Sequence, residues 1–277
     1  MHFTPLSPLW RVQRDEIVLT DRDQELLAAL AEQRVAVMAQ AAYWLGVSER
    51  TAGRRVRRLE QAGLLESRRL FERGSAMVKI TPAGLRRIGS PLGKPGQKLD
   101  EYRHDVGVGW LWTAAREGAF GEMAEIVSER GMRSHDARLE RMSPAERLLT
   151  DDPEHYGIGV GTLTAGGRPE RHFPDLLLRS PAGHTIAVEL ELSVKGRRRL
   201  DGVMNAYASD GRVDAVLYVV PDARLAAKVR ESAVRAGISD LVYVRRLAPG
   251  GIRGVAAVPE TTVARAPART RQPELRR

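Results

Sequence analysis

The run HTIAVELELSVKGRRR sets Glu189 and Glu191 two residues apart among Ile186, Val188, Leu190 and Leu192. Strand side chains alternate between faces, so both carboxylates fall on one face and the aliphatics on the other. Like charges side by side on a strand repel unless a cation stands between them. Mg2+ answers that need, because it takes oxygen ligands, keeps several waters and requires few protein carboxylates. Just upstream, DLLLRS and TIAVELELS flank SPAG, a turn-forming stretch. A hairpin closed near 181–183 sets Asp175 roughly across from Glu189. Asp175, Glu189 and Glu191 are therefore candidate ligands for Mg2+, with Mn2+ as its substitute. Such an ion activates water and neutralises charge on a scissile phosphate. Lys195, arriving from the start of the next helix, is the candidate electrostatic stabiliser of the transition state, and Glu191 the candidate general base. A plainer account stands beside this one: glutamates alternate on many half-exposed strands, and Arg197, Arg198 and Arg199 can pair with them. His135, His155 and His172 repeat no zinc spacing.

The elements that must position these acids follow from periodicity. LDEYRHDVGVGWLWTAAREG reads as an amphipathic helix with Tyr102, Val106, Trp110 and Thr113 on one face. A short strand surrounds Ile126. Residues 131–170 are polar and turn-rich, with a short helix at SPAERL. After the hairpin, Leu200, Val203, Met204 and Tyr207 mark a helix, VDAVLYVVP a buried strand, DARLAAKVRESAVRAG a helix, and DLVYVRRL a last strand. That order predicts an α/β domain with a mixed sheet over 99–246.

Composition narrows the classes. The chain has 277 residues and no cysteine, which excludes disulfides, thiolate metal sites and a cysteine nucleophile and fits a reducing compartment. No run of 18 apolar residues or signal-like N-terminus is present, so the expectation is a cytoplasmic protein with no membrane partner. The net charge of +9 is concentrated: Arg50 to Lys98 holds 13 Lys/Arg against 3 acids, while residues 99–277 hold 27 against 25. A localised excess of this kind suits a polyanion, most simply nucleic acid.

That basic segment has its own architecture. Thr20 and Asp23 have capping-box spacing ahead of Leu26, Leu27 and Leu30. VAVMAQAAYWL reads as a second helix, and Ser48 caps a third, ERTAGRRVRRLEQAG. In the third helix Ala52, Val56, Leu59 and Gly63 form a narrow apolar stripe. Arg50, Thr51, Arg54, Arg55, Arg57 and Arg58 fill the other side. LLESRRLFERGSAMVKIT reads as two strands around Gly74-Ser75, and TPAGLRRIG as a helix with Pro82 at its first position. GSPLGKPGQK breaks periodicity, and 91–98 is taken as a linker. The segment from Leu247 is rich in Gly, Pro, Ala and Arg and is expected to be a mostly disordered basic tail.

Residues 18–90 resemble winged helix-turn-helix DNA-binding domains. The resemblance implies that the third helix enters the major groove and the hairpin meets phosphate or minor groove. Arg50, Thr51 and Arg54, nearest the helix start, are the base-edge candidates. Arg57, Arg58, Arg69 and Arg73 are candidate phosphate contacts.

Pro174-Asp175, followed 14 residues later by Glu189 in VELELSVK, resembles the restriction-endonuclease-like fold and its PD-(D/E)-x-K signature. The lysine position two after the second acid is occupied here by Glu191; Lys195 is the nearby lysine. Members of that superfamily either cleave with such a departure or have lost cleavage and kept binding. The resemblance adds Glu129, in VSER, as a possible further acid, a surface glutamate being the alternative. The winged helix, YRHDVGVGWLW, IVSER, PDLLL, VELELSVKGRRRL and NAYAS together look like the replication-relaxation family of plasmid and mobile-element proteins, over residues 18–245. That likeness implies a role in plasmid DNA replication or relaxation through double-stranded DNA, with plasmid replication or transfer proteins as partners. Winged-helix proteins often pair, which makes a homodimer an expected assembly. Three functions stay open: a Mg2+-dependent DNA-nicking enzyme, a non-catalytic DNA-binding accessory or regulator, and an effector-responsive repressor. No Gly-rich phosphate loop is present, against nucleotide binding by those modes.

Overall fold

A computed structural model describes residues 17–69, 75–96, 98–150, 154–163, 167, 169–193, 196–247 and 251. Arg73, Lys195 and the tail beyond Gly251 lie outside the described residues. The chain divides into two compact units, Met1–Ala31 with Ala36–Pro95, and Glu32–Val35 with Gly96–Arg277.

The first unit is a helix-sheet body. Its α1 (Asp21–Glu32) begins at a reciprocal cap: Thr20 N–H donates to Asp23 Oδ2 at 2.7 Å and Asp23 N–H to Thr20 Oγ1 at 3.3 Å. The stretch predicted as one helix from Val35 is split. Ala36–Val37 forms β1 and Met38–Leu45 forms α2, because β1 pairs antiparallel with β3 (Ala76–Ile80), and that ladder overrides local helical preference. Gly46 closes α2 with φ 63°, a left-handed cap that suits glycine. Ser48 Oγ then accepts from Thr51 N–H to start α3 (Glu49–Gln61). β2 (Leu65–Arg69) completes a sheet of order β1-β3-β2, and Thr81 caps α4 (Pro82–Arg87). Leu26, Leu30, Ala52, Val56, Leu59, Val78 and Ile80 build the core, which also holds Leu92 of the irregular 90–96 stretch.

The second unit is built on a five-stranded mixed sheet of order β10-β9-β8-β7-β4. In chain order come α5 (Tyr102–Arg116), β4 (Glu125–Ser128), α6 (Glu129–Arg141) and α7 (Pro144–Leu148). A two-stranded antiparallel sheet, β5 (Ile158–Leu163) with β6 (Pro169–His172), follows. The main sheet resumes with β7 (Leu176–Arg179) and β8 (Thr185–Leu190), then α8 (Arg197–Ser209), β9 (Ala215–Val220), α9 (Ala223–Arg235) and β10 (Val242–Arg246). β7 and β8 form an antiparallel hairpin, whereas β8, β9 and β10 run parallel through the α8 and α9 crossovers. The architecture is thus mixed α+β, with the sheet mixed as expected.

Three expectations are corrected. Residues 131–170 are not a turn-rich insertion: α6 and the β5–β6 pair occupy much of them, and Asp136 accepts from Tyr156 N–H at 2.7 Å and Gly157 N–H at 3.0 Å to tie the two together. In α5 Tyr102, Val106 and Trp110 of the expected face are only half-buried, and Thr113 of that face is buried, as are Asp105, Gly107, Gly109 and Leu111. β8 is a central strand buried on both sides, rather than half-exposed. Ala187 faces a core with Leu177, Val216, Tyr218, Met204 and Tyr207; Ile186, Val188 and Leu190, of opposite parity, are also buried.

Close packing gives a test within the first unit. A Cβ at Gly84 would stand 2.3 Å from the Leu64 carbonyl oxygen and 2.7 Å from Ile80 Cγ1, whereas one at Gly53 meets nothing within 4 Å. Gly84→Ala is expected to destabilise the chain by about 1–3 kcal/mol, and Gly53→Ala to leave it unchanged or stabilise it by about 0.5–1 kcal/mol, read by urea denaturation.

Candidate functional site

Glu189 lies one residue from the end of β8, opposite Tyr218 of β9 in register. Its side chain is 4% exposed. An uncompensated carboxylate there costs several kcal/mol. Two donors from different elements answer it at one oxygen: Tyr207 O–H of α8 and His172 Nε2 of β6 each stand 2.5 Å from Oε1. The two donor rings meet edge to face with centroids 5.7 Å apart.

Leu176 pairs with Val188; one further step in that register sets Asp175 opposite Glu189. Asp175 Oδ2 accepts from Leu190 N–H at 2.7 Å and lies 3.2 Å from His104 Nε2 of α5. Glu191 is buried just past the strand, its N–H donating to Val219 O at 2.9 Å. The Tyr218 hydroxyl registers all three acids: burial first, then Glu189, Glu191 and Asp175, holds it well above the usual phenol range. Burial, and Glu189 after it, does the same to Tyr207. All three acids thus act electrostatically on Tyr218, and Glu189 and Asp175 also act on Tyr207. Lys195 lies outside the described residues. Of the arginines that follow it, Arg197 pairs with Asp201 at 3.5 Å.

Glu129 heads α6 and is held by Arg34 at 2.8 Å and Arg133 at 2.7 Å. It lines an open cleft of the second unit with His104, Asp105, Ser128, Arg130 and Asp175, so the structure joins it to Asp175 and not to Glu189. Asp105 was not anticipated. Its side chain is 7% exposed, Arg34 Nε stands 3.9 Å from Oδ1, and Oδ2 has no hydrogen-bond partner among the described residues. Burial, opposed by Arg34 and His104, pushes its carboxyl up to about 6. The histidines His104 and His172 were also missed as members of the acid cluster. The available signal was local: His104 sits in the predicted helix, and His172 three residues before Asp175.

Asp175, Glu189 and Glu191 supply the hard oxygen donors that Mg2+ or Mn2+ takes, and these residues would hold it. The donor set fits in chemistry. When bound, the ion would supply an activated water and charge neutralisation at phosphate. Among the described residues no three His, Asp or Glu side chains are grouped to hold a metal ion.

The cationic helix is organised differently from its sequence pattern in one respect. Ala52, Val56 and Leu59 of α3 are buried, and Arg50, Arg54, Arg57 and Arg58 are exposed. Arg55 does not join that face: its Nε donates to Asp23 Oδ1 at 2.5 Å, its NH2 also binds Asp23, and Asp23 is 1% exposed. Burial of the Asp23 carboxylate demands a cation, and Arg55 is the one that α3 turns toward α1. Burial raises the Asp23 pKa, but the hydrogen bonds of Arg55 and Thr20 outweigh it and hold the group below its usual value. Thr51 Oγ1 is engaged at the helix start, receiving Ser48 Oγ at 3.1 Å and Arg54 NH2 at 3.4 Å. Arg68 and Arg69 are exposed at the end of β2. Among the described residues no helix is long and apolar enough to cross a membrane.

No protein-family model matches the chain, and no curated protein does. Among solved structures it is similar to a chain titled "PigF with SAH", at 16% identity, covering 84% of this chain and 70% of that one, with a TM-score of 0.17. A likeness of that size carries no argument about fold or function.

Asp105 provides a test with a defined sign. Its folded value of about 6 exceeds the ordinary 3.8, so between these values the folded chain holds more protons than the unfolded one and stability falls as pH rises. The wild type is expected to lose on the order of 2–3 kcal/mol relative to Asp105→Asn between pH 3.8 and 7. Urea denaturation of both proteins across that interval measures the difference; a constant gap would refute the assignment.

Proposed function

We propose that the chain is a double-stranded DNA-binding protein whose first unit acts as a winged helix-turn-helix, with α3 entering the major groove. The observation that carries this reading is the division of α3 into a buried stripe of Ala52, Val56 and Leu59 and an exposed face of Arg50, Arg54, Arg57 and Arg58. A broad cationic face on a docked helix suits a groove walled by phosphate. The antiparallel β2–β3 pair, with Arg68 and Arg69 exposed, suits the role of wing. Arg50 and Arg54 are assigned to base edges, Arg57, Arg58 and Arg69 to phosphate, and Arg55 to holding α3 against Asp23. Arg73 belongs to the same proposal on sequence grounds.

The resemblance to the replication-relaxation family supports reading this binding as part of the replication or relaxation of a plasmid or mobile element, in the cytoplasm. It also supports reading the second unit as restriction-endonuclease-like, with Asp175, Glu189 and Glu191 as the acids of a Mg2+-dependent nicking site and Lys195 as the cation. A non-catalytic accessory is the second reading. It is favoured by the internal hydrogen bonds of Asp175 and Glu189, which a structural acid pair would also make.

Duplex binding across a salt series tests the first unit. With about 6 phosphate contacts the log–log slope is expected near −5. Arg58→Ala should reduce its magnitude by about 1, while Arg54→Ala should cost about 1–3 kcal/mol and relax sequence preference. Arg55→Ala, which leaves the buried Asp23 carboxylate unpaired, should act first on stability, lowering it by about 3–5 kcal/mol. Unaltered affinity in both Arg54→Ala and Arg58→Ala at low salt would defeat the assignment. Supercoiled plasmid with Mg2+ or Mn2+ separates the two readings of the second unit: nicking abolished by both Asp175→Ala and Glu189→Ala supports the enzyme, and binding without nicking supports the accessory.

A further inference from the structure

Asp175, just ahead of β7, and Glu189 of β8 each carry an imidazole brought from another element. His104 of α5 stands 3.2 Å from Asp175 Oδ2, and His172 of β6 stands 2.5 Å from Glu189 Oε1. The pairing is unrelated to sequence proximity, since His104 and Asp175 are 71 residues apart. Solvent screening does not account for it either, because the carboxylates are 12% and 4% exposed. Backbone and phenol donors already serve the same oxygens: Leu190 N–H at 2.7 Å from Asp175, and Tyr207 O–H at 2.5 Å from Glu189. At each acid the imidazole is thus a further partner on an oxygen that another donor already serves.

We propose that His104 and His172 are positioning residues, one for each acid, which hold the carboxylates of Asp175 and Glu189 as fixed oxygen donors for a divalent cation. The inference rests on the metal-binding reading of the second unit and extends it to residues outside the acid set. The imidazoles act through the carboxylates. Each fixes an acid's orientation by occupying one of its oxygens. Outer partners of this sort hold metal-ligating groups in place, and their loss typically lowers metal affinity 10–100-fold. Tyr207 shares the oxygen that His172 holds and meets that ring edge to face, so it belongs to the same arrangement.

The test is Mn2+ binding to the metal-free full chain by isothermal titration calorimetry, with thermal melting in the presence and absence of Mn2+. Wild type is expected to bind, and Glu189→Ala to lose binding. His104→Gln and His172→Gln should each weaken Mn2+ about 10-fold, with a smaller Mn2+-induced rise in Tm, while their metal-free Tm identifies any loss of folding. Should His172→Gln unfold, Tyr207→Phe, which removes one hydroxyl from the same oxygen, carries the test with the same expected loss. Wild-type affinity in folded His104→Gln and in folded His172→Gln or Tyr207→Phe overturns the positioning role while leaving the metal reading intact. Failure of the wild type itself to bind Mn2+ overturns the metal reading and this inference with it.

Discussion

A carboxylate on a central strand is the constraint around which the second unit is arranged. Glu189 stands between β7 and β9 with core on both faces of its strand, where an isolated charge would cost more than a domain's usual margin of stability tolerates. The chain meets this with a hydroxyl from α8 and an imidazole from β6, both on one oxygen. Those two donors fix where α8 and the β5–β6 pair must lie. The α8 crossover presents Tyr207 to the sheet, and β6 ends at His172, from which the chain passes to Asp175 at the head of β7. Packing and polar satisfaction therefore share residues: Tyr207 is fully buried in the hydrophobic core and also caps the acid.

The first unit repeats the logic on a smaller scale. Asp23 begins as the cap of α1, a local role, but it is 1% exposed and needs more than backbone donors. Arg55 supplies the charge from α3 and so fixes the rotation of that helix about its axis. With Arg55 turned inward, Arg50, Arg54, Arg57 and Arg58 occupy the exposed side. The buried ion pair and the buried stripe of Ala52, Val56 and Leu59 together select which arginines are presented.

The amino-acid sequence alone determined the element types wherever periodicity and caps agreed: the Thr20–Asp23 cap, Ser48 ahead of α3, Pro82 in α4, the turn between β7 and β8, and the continuous apolar run of β9. These are local signals, encoded within a few residues. It also placed Asp175 against Glu189, because hairpin register follows from turn position. Tertiary structure decided the rest. It turned Ala36–Val37 into a strand through pairing with β3, buried Asp105 in place of the predicted face of α5, withdrew Arg55 from the cationic face, and brought His104 and His172 to the acids. Each of these depends on a partner that is distant in the chain, and a residue's type carries no record of which distant group will stand beside it.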